Sequence, residues 1–177
     1  LYYRMPGVKI VSPMTPKEYI KIYKSYLKDD DVYYVSEHRG SYANKNELPD
    51  IICKKPDLVI FAISVTRFEA VKAQKYFKNI GINVSIVHIL WIKPFKMNKK
   101  SYANLAKSKY GGLVIDDDYT NGVAKSIAND LSIKSKKPVY TLGLKNRTAG
   151  TGKNLDNLPP TKDEIIKQIK RLIYEKF

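Results

Sequence analysis

Four short stretches carry side chains whose types and spacing could do chemistry. Glu37, His38 and Arg39 sit together at the end of an apolar run, with Gly40 behind them. An anion held by the Arg39 guanidinium and oriented by the His38 imidazole is sound chemistry there, because Arg pairs with carboxylates and phosphates through two parallel hydrogen bonds. A plain charge cluster at a strand end is an equal reading. Asp116-Asp117-Asp118, followed by Asn121-Gly122, has the residue types of a calcium loop but not its ligand spacing, and no acid closes it downstream. Acids at the carboxyl end of a strand are nonetheless where parallel α/β sheets place polar function. The competing reading is a solvated strand end. Ala149-Gly150-Thr151-Gly152-Lys153 has the outline of a phosphate loop, but the upstream Gly is missing, Asn154 follows the Lys, and no strand–loop–helix context surrounds it. It reads as a flexible loop. His88 lies inside an apolar run and reads as a core histidine with one satisfied ring nitrogen. No Cys or Asp stands at metal spacing from either His, so zinc has no support.

The elements that would position these groups follow from apolar periodicity. Pro56 to Phe95 reads as a complete strand–helix–strand unit. DLVIFAIS is a continuous apolar run, as expected for a strand buried on both faces of a parallel sheet. Arg67 to Asn79 switches to helical spacing, with Phe68, Ala70, Val71 and Phe77 available for one face. Gly81 stands where a helix end wants a left-handed residue. NVSIVHILWI reads as one further buried strand, stopped at Pro94 because proline cannot donate to a ladder. Before this unit, Val8 to Val11 is a strand and Thr15 is a good N-cap, with Pro16 opening a helix up to Asp29. DVYYVSEH is the next strand. Behind the unit come a helix over 96–109, a strand LVIDD, a helix over 121–131, a strand PVYTLGL, a long loop over 145–158 and a helix over 162–175. Strands alternating with helices through short connections predict an α/β fold, a mostly parallel open sheet with helices on both faces. The polar stretch from Arg39 to Lys55 places a boundary. It separates the end of a second α/β domain (1–42) from the main domain (56–177), with a linker over 43–55.

Composition narrows the class. The chain has 177 residues, enough for one domain or one domain plus part of another. No run is apolar for long enough to span a bilayer, so a membrane role is not expected. The start, LYYRMPGVK, has neither an initiator Met nor a signal-peptide pattern, and a piece of a longer protein is expected. Cys53 is the sole cysteine, so no intrachain disulfide can form and a reducing compartment is the simpler setting, the cytoplasm or an organelle with a reducing interior. A net charge of +15 invites a nucleic-acid reading. Only five of the 32 basic residues are Arg, however, and the Lys residues are scattered over every segment. A solvated basic surface is the favoured reading.

The segments PGVKIVSPMTPKEY, LKDDDVYYVSEHRGSY, the unit from Pro56 to Phe95, and GGLVIDDDYTNGVAKSIANDL occur in the order found in one family. Together they resemble the C-terminal half of thiamine-diphosphate enzymes of the transketolase type. They are most similar to the beta subunit of the decarboxylating component of 2-oxoacid dehydrogenases, as in pyruvate dehydrogenase. The resemblance implies that residues 1–42 are the last strand–helix–strand of a pyrimidine-binding domain, and that 56–177 are the complete C-terminal domain. It also implies that the essential Glu of the pyrimidine domain, and the diphosphate motif with its magnesium ligands, belong to polypeptide outside this sequence. Thiamine diphosphate and magnesium are thus expected in the intact enzyme, an oxidoreductase or transferase, and not on this chain alone, which by itself would be inactive. In the intact enzyme the cofactor acts as an electron sink during carbon–carbon cleavage, and the two-carbon fragment passes to an acceptor.

The resemblance also carries residues over. Arg39-Gly40 matches an Arg-Gly pair that in the related synthases lies near substrate phosphate, which makes Arg39 and His38 the expected substrate-binding pair. His38 stands where that pattern has Pro. Asp29, Asp31 and the Tyr26 carbonyl match a turn where many beta subunits hold potassium, although an ordinary acidic helix-to-strand turn is the competing reading. Asp117, Tyr119 and Gly122 match the strand-to-helix turn of a domain that supplies dimer contacts, and are the expected interface residues. Expected partners are a homodimer mate, or a heterotetramer with the thiamine-binding domain or subunit, and an acyltransferase component. Two other functions compete: a non-catalytic dimerisation or docking module, and, less favoured, a basic nucleic-acid-binding α/β domain.

Overall fold

Leu58–Ile63 is the strand around which the molecule is built, and all six of its residues are buried. In this computed structural model, which describes residues 2–150, 152 and 156–175, the strand is β3. It follows β1 (Val8–Val11), α1 (Pro16–Tyr26) and β2 (Val32–Val35). Beyond it come α2 (Thr66–Asn79), β4 (Val84–Ile89), β5 (Trp91–Lys93), α3 (Lys99–Ala106), β6 (Gly112–Tyr119), α4 (Val123–Ser135), β7 (Val139–Leu144) and α5 (Lys162–Tyr174). The strands form two sheets. The larger has the order β4-β3-β6-β7, and every pairing in it is parallel. The smaller has the order β2-β1-β5, with β1 and β2 parallel and β5 antiparallel to β1.

Strand side chains alternate between faces, and the two cores of the large sheet show it. Leu58, Ile60 and Ala62 of β3 pack with Ala70, Ala73 and Phe77 of α2 and Ile165 and Ile169 of α5. Val59, Phe61 and Ile63 face the other way, onto Leu105 of α3, Ile127 and Leu131 of α4, and Val8 and Ile10 of β1. The sheet is thus covered on both sides, as its continuous apolar runs require.

The helix ends follow local chemistry. Gly81 has φ +76 and closes α2 in the left-handed region, as its position predicted. Gly111, with φ +87, feeds β6, and a Cβ there would lie 2.0 Å from the Pro138 carbonyl oxygen. Thr161 and Glu164 form a reciprocal capping box at the start of α5. Thr15 is the N-cap of α1, but its side chain makes no capping bond. Glu18, three residues on, reaches back and accepts from the Met14 N–H instead, at 2.9 Å.

One expectation changes here. NVSIVHILWI is not one strand. It divides at Leu90, whose carbonyl accepts from Ser12 N at 2.9 Å. Residues before Leu90 belong to the large sheet, and Trp91–Lys93 cross to pair with β1. The main-domain segment thereby returns a strand to the first unit. The polar stretch over 43–55 also carries more structure than expected. Ile51 exchanges two backbone hydrogen bonds with Ile86, at 2.9 and 2.7 Å, and covers the β4 edge.

Candidate functional site

Chain order reverses within the large sheet between β3 and β6: β4 follows β3 on one side, while β6 and β7 continue on the other. In open parallel sheets the crevice beyond the carboxyl ends of such a pair is the favoured binding place. Here the ends are Ser64, just past β3, and Asp116 to Asp118 in the last half of β6. The pairing of β6 with β3 stops at Ile115, and its register with β7 shifts between Ile115 and Tyr119, so the three acids sit in an irregular stretch that projects past the sheet. Gly143 permits this, since a Cβ there would lie 2.5 Å from the Asp118 carbonyl oxygen.

The crevice is a cleft of about 260 Å³ between the two units. Ser12, Tyr34 and Ser36 line it from the small sheet, and Ser64 and the three acids from the large one. Ser64 donates to Asp117 Oδ2 at 2.5 Å and holds φ at +52. A non-glycine residue in that region stores of order 1–3 kcal/mol of strain, a feature that clusters at functional sites. Thr66 Oγ1 donates to the carbonyls of Ile63 (2.6 Å) and Ile115 (3.3 Å), tying the ends of β3 and β6 together. Asp116 is 4% exposed. Burial, reinforced by the charges of Asp117 and Asp118, pushes its pKa up to about 8. The shift favours the protonated form of Asp116, which can donate a hydrogen bond inside the cleft. Among the described residues no Lys or Arg lines the cleft. It therefore suits hydroxyl or cationic groups and does not suit a diphosphate, whose charge would meet Asp117 and Asp118 without a counter-charge. No group of three or more His, Cys, Asp or Glu suited to a metal ion occurs among the described residues.

The His38–Gly40 turn abuts the start of α2: a Cβ on Gly40 would lie 3.3 Å from Val65 Cγ2. His38 Nδ1 accepts from Gly40 N at 3.0 Å, so this imidazole nitrogen is spent on the turn. Arg39 is exposed. Of the expected interface residues, Asp117 is held by Ser64, and Gly122 starts α4 with its N–H on the Tyr119 carbonyl at 2.8 Å. The Asp29–Asp31 turn meets a cation that belongs to the chain. Lys9 Nζ pairs with Asp29 and with Asp31 (2.7 Å). Hydrogen bonding from Lys9, with help from the Asp31 N–H and the Tyr33 hydroxyl, holds the Asp29 carboxyl well below the usual carboxylate range. The Tyr26 carbonyl accepts from Asp29 N at 3.2 Å. The turn that the resemblance assigns to potassium thus holds the Lys9 ammonium against its two carboxylates. The phosphate-loop outline includes Thr151 and Lys153, which lie outside the described residues.

Sequence reasoning missed the junction between the units. Arg67, on α2, is completely buried and grips Glu18 of α1 with both terminal nitrogens, at 2.8 and 2.6 Å. Its Nε donates to His88 Nδ1 at 3.3 Å. Asp50, from the polar connection, accepts from the His88 backbone N–H at 2.8 Å. Burial and the neighbouring Arg67 charge push the His88 pKa down to about 3, against a weaker pull from the Pro49 carbonyl, so the ring is neutral. His88 Nε2 is enclosed without a hydrogen bond of ordinary geometry.

A parallel sheet with helices on both faces, an irregular acidic strand end at its point of reversal and a second sheet across the cleft define an α/β fold with its cleft at the carboxyl edge. The chain belongs to the transketolase C-terminal domain family, which matches residues 49–165. It is 21% identical over 142 residues to the beta subunit of the pyruvate dehydrogenase E1 component of Mesostigma viride, covering 74% of this chain and 43% of that protein. Among solved structures it is similar to a split-gene transketolase, an inactive β4 tetramer, with TM-score 0.76, 16% identity, 99% of this chain and 60% of the other. It is also similar to a transketolase variant from Pichia stipitis solved with fructose 6-phosphate, with TM-score 0.70, 16% identity, 97% of this chain and 26% of the other. The chain therefore spans between a quarter and three-fifths of these relatives. Among the described residues no helix is long and apolar enough to cross a membrane.

Proposed function

We propose that the chain is the C-terminal portion or subunit of a thiamine-diphosphate-dependent enzyme, similar to the 2-oxoacid dehydrogenase beta subunit or to transketolase. In it the chain serves assembly and forms part of the substrate entrance. The observation that supports this reading best is the cleft at the β3–β6 reversal, set between a family domain and the end of a second α/β unit. Its acidic lining speaks against the diphosphate binding here, so thiamine diphosphate and magnesium are assigned to the partner polypeptide, in a homodimer or heterotetramer. Asp116, whose pKa burial raises, and Ser64 are the candidates for hydrogen bonds to a hydroxylated substrate at the entrance. Arg39, exposed beside the same edge, is the candidate for an anionic substrate group.

Titration calorimetry separates the alternatives. The chain alone should give no heat with thiamine diphosphate and magnesium. Adding the thiamine-binding domain or subunit should yield binding and turnover of a 2-oxoacid or a ketose phosphate. Tight binding by the chain alone would overturn this division of labour, and association without any turnover would favour a docking module.

A further inference from the structure

A hollow of about 320 Å³ opens at the start of α1 and shares no lining residue with the cleft at the β3–β6 reversal. Two hydroxyls at it are orphaned. Thr15 is 1% exposed, and its Oγ1 makes no hydrogen bond. It is the N-cap of α1 and would ordinarily accept from the first turn, but Glu18 serves that end instead, through the Met14 N–H. The Tyr19 hydroxyl, one turn on, is enclosed beside Ser41 and also lacks a hydrogen bond of ordinary geometry. An enclosed hydroxyl without a partner is costly, and two at one hollow call for an occupant that completes them.

The donors around the hollow are already spent. Pro16 has no N–H, the Lys17 N–H goes to Glu47 at 3.1 Å, and the Glu18 N–H goes to the Thr15 carbonyl at 3.1 Å. The Asn44 amide donates to the carbonyls of Met14 and Asn46, at 2.9 and 2.7 Å. Ser41 donates to the His38 carbonyl at 2.8 Å, and Tyr42 to Glu37 at 3.3 Å. What remains free are oxygen lone pairs and one carboxylate. Glu37 makes no ion pair with a described residue. Among the described residues no Lys, Arg or His lines the hollow, in a chain with 32 Lys and Arg against 17 acids. The positive end of α1 would oppose a cation, but Glu18 and Glu47 accept from N–H groups at that end and offset it.

We propose that this hollow binds a small organic ammonium ion, a primary amine carrying a few carbons. An ammonium offers three N–H donors and no acceptor, which matches an acceptor-rich lining. Glu37 answers its charge, and the Thr15 and Ser41 hydroxyls accept its remaining protons. The Tyr19 and Tyr42 rings and the fully buried Met14 suit its alkyl chain, and aromatic faces attract cations. A neutral alcohol brings a single donor and leaves the carboxylate without a counter-charge. A metal ion lacks ligands, since no group of three His, Cys, Asp or Glu suited to one occurs among the described residues. The inference stands apart from the proposed function and adds a ligand site to the first unit.

The test titrates the full chain with n-butylammonium chloride, against n-butanol and potassium chloride as controls, and follows backbone amide shifts by NMR. Butylammonium should give saturable shifts centred on Thr15, Tyr19, Ser41 and Asn44, and neither control should saturate at the same concentrations. Glu37→Gln keeps the side-chain shape and an acceptor for Tyr42 but removes the charge, and should weaken binding by at least about tenfold. Thr15→Val removes a hydroxyl that bonds to nothing, so its thermal melt should stay at or above that of the wild type, while its affinity for butylammonium falls by at least about threefold. Saturation by n-butanol as tight as by butylammonium makes the hollow a hydroxyl site and overturns the proposal. Saturation by potassium chloride alone assigns an inorganic cation and overturns it as well. So does the absence of any saturable shift, or binding unchanged in Glu37→Gln. Each of these results leaves the proposed function standing.

Discussion

The two sheets of this chain are built from similar residues and end in opposite states. Every residue of β3 is buried, and helices or the neighbouring unit cover both of its faces. β2, Val-Tyr-Tyr-Val, is also made of residues that favour strands, yet none of them is fully buried and Val32 stands mostly in solvent. Apolar sequence does not by itself create an interior; covering layers do. The large sheet carries its own layers in α2, α3, α4 and α5. The small one has α1, the borrowed strand β5 and the junction through Arg67. One region carries its own covering layers, and the other leans on its neighbour.

Substitutions should separate the two regions, and the largest effects belong to the covered one and to the junction. Phe61→Ala removes a fully buried ring from β3 and should cost about 3–5 kcal/mol in chemical denaturation. Arg67→Ala strands Glu18 in a partly buried site and should cost about 3–5 kcal/mol. It should also release α1 before the large sheet unfolds, visible as loss of a single transition. Gly111→Ala forces a side chain into the left-handed region against the Pro138 carbonyl and should cost more than the roughly 1 kcal/mol of an unstrained Gly change.

Titration should distinguish the junction from the cleft. His88 has a folded pKa of about 3, below its unfolded value near 6.5, so the stability gained by keeping it neutral is complete above about pH 6.5 and is lost as pH falls toward 3. Asp116 behaves in the opposite sense. Its folded pKa of about 8 exceeds an unfolded value near 3.9, so its stabilisation is complete below about pH 4 and is lost as pH rises toward 8. Asp116→Asn should remove that loss on the alkaline side and leave the acid side unchanged, as read from urea midpoints across pH. The smallest effect belongs to the open edge strand. Val32→Ala should change the stability of the isolated chain by no more than about 0.5 kcal/mol.

Much of the covered region was legible because its signals are local. DLVIFAIS reads as a doubly buried strand from its own residues, and Gly81 stood at the helix end that required it. The acids of β6 were visible as a cluster at a strand end, but their meeting with Ser64 depends on which strands are neighbours. The crossing at Leu90 was hidden for a related reason: both halves of NVSIVHILWI are apolar, and sheet membership is decided by Ser12 and Val11, far away in sequence. Arg67 and Glu18 lie 49 residues apart. Charged residues on amphipathic helices normally face solvent, so nothing local marks a buried pair. The Asp29–Asp31 turn shows the same limit, since its counter-charge comes from Lys9, 20 residues upstream of Asp29.

The contrast between a covered and an open sheet is tested most directly by native-state hydrogen exchange on the isolated chain. Amides of β3 and β6 should exchange only through global unfolding, with denaturant dependence matching the whole molecule. Amides of β2 and α1 should exchange through a smaller opening of lower free energy. Equal protection in both sheets of a monomeric chain would contradict the account.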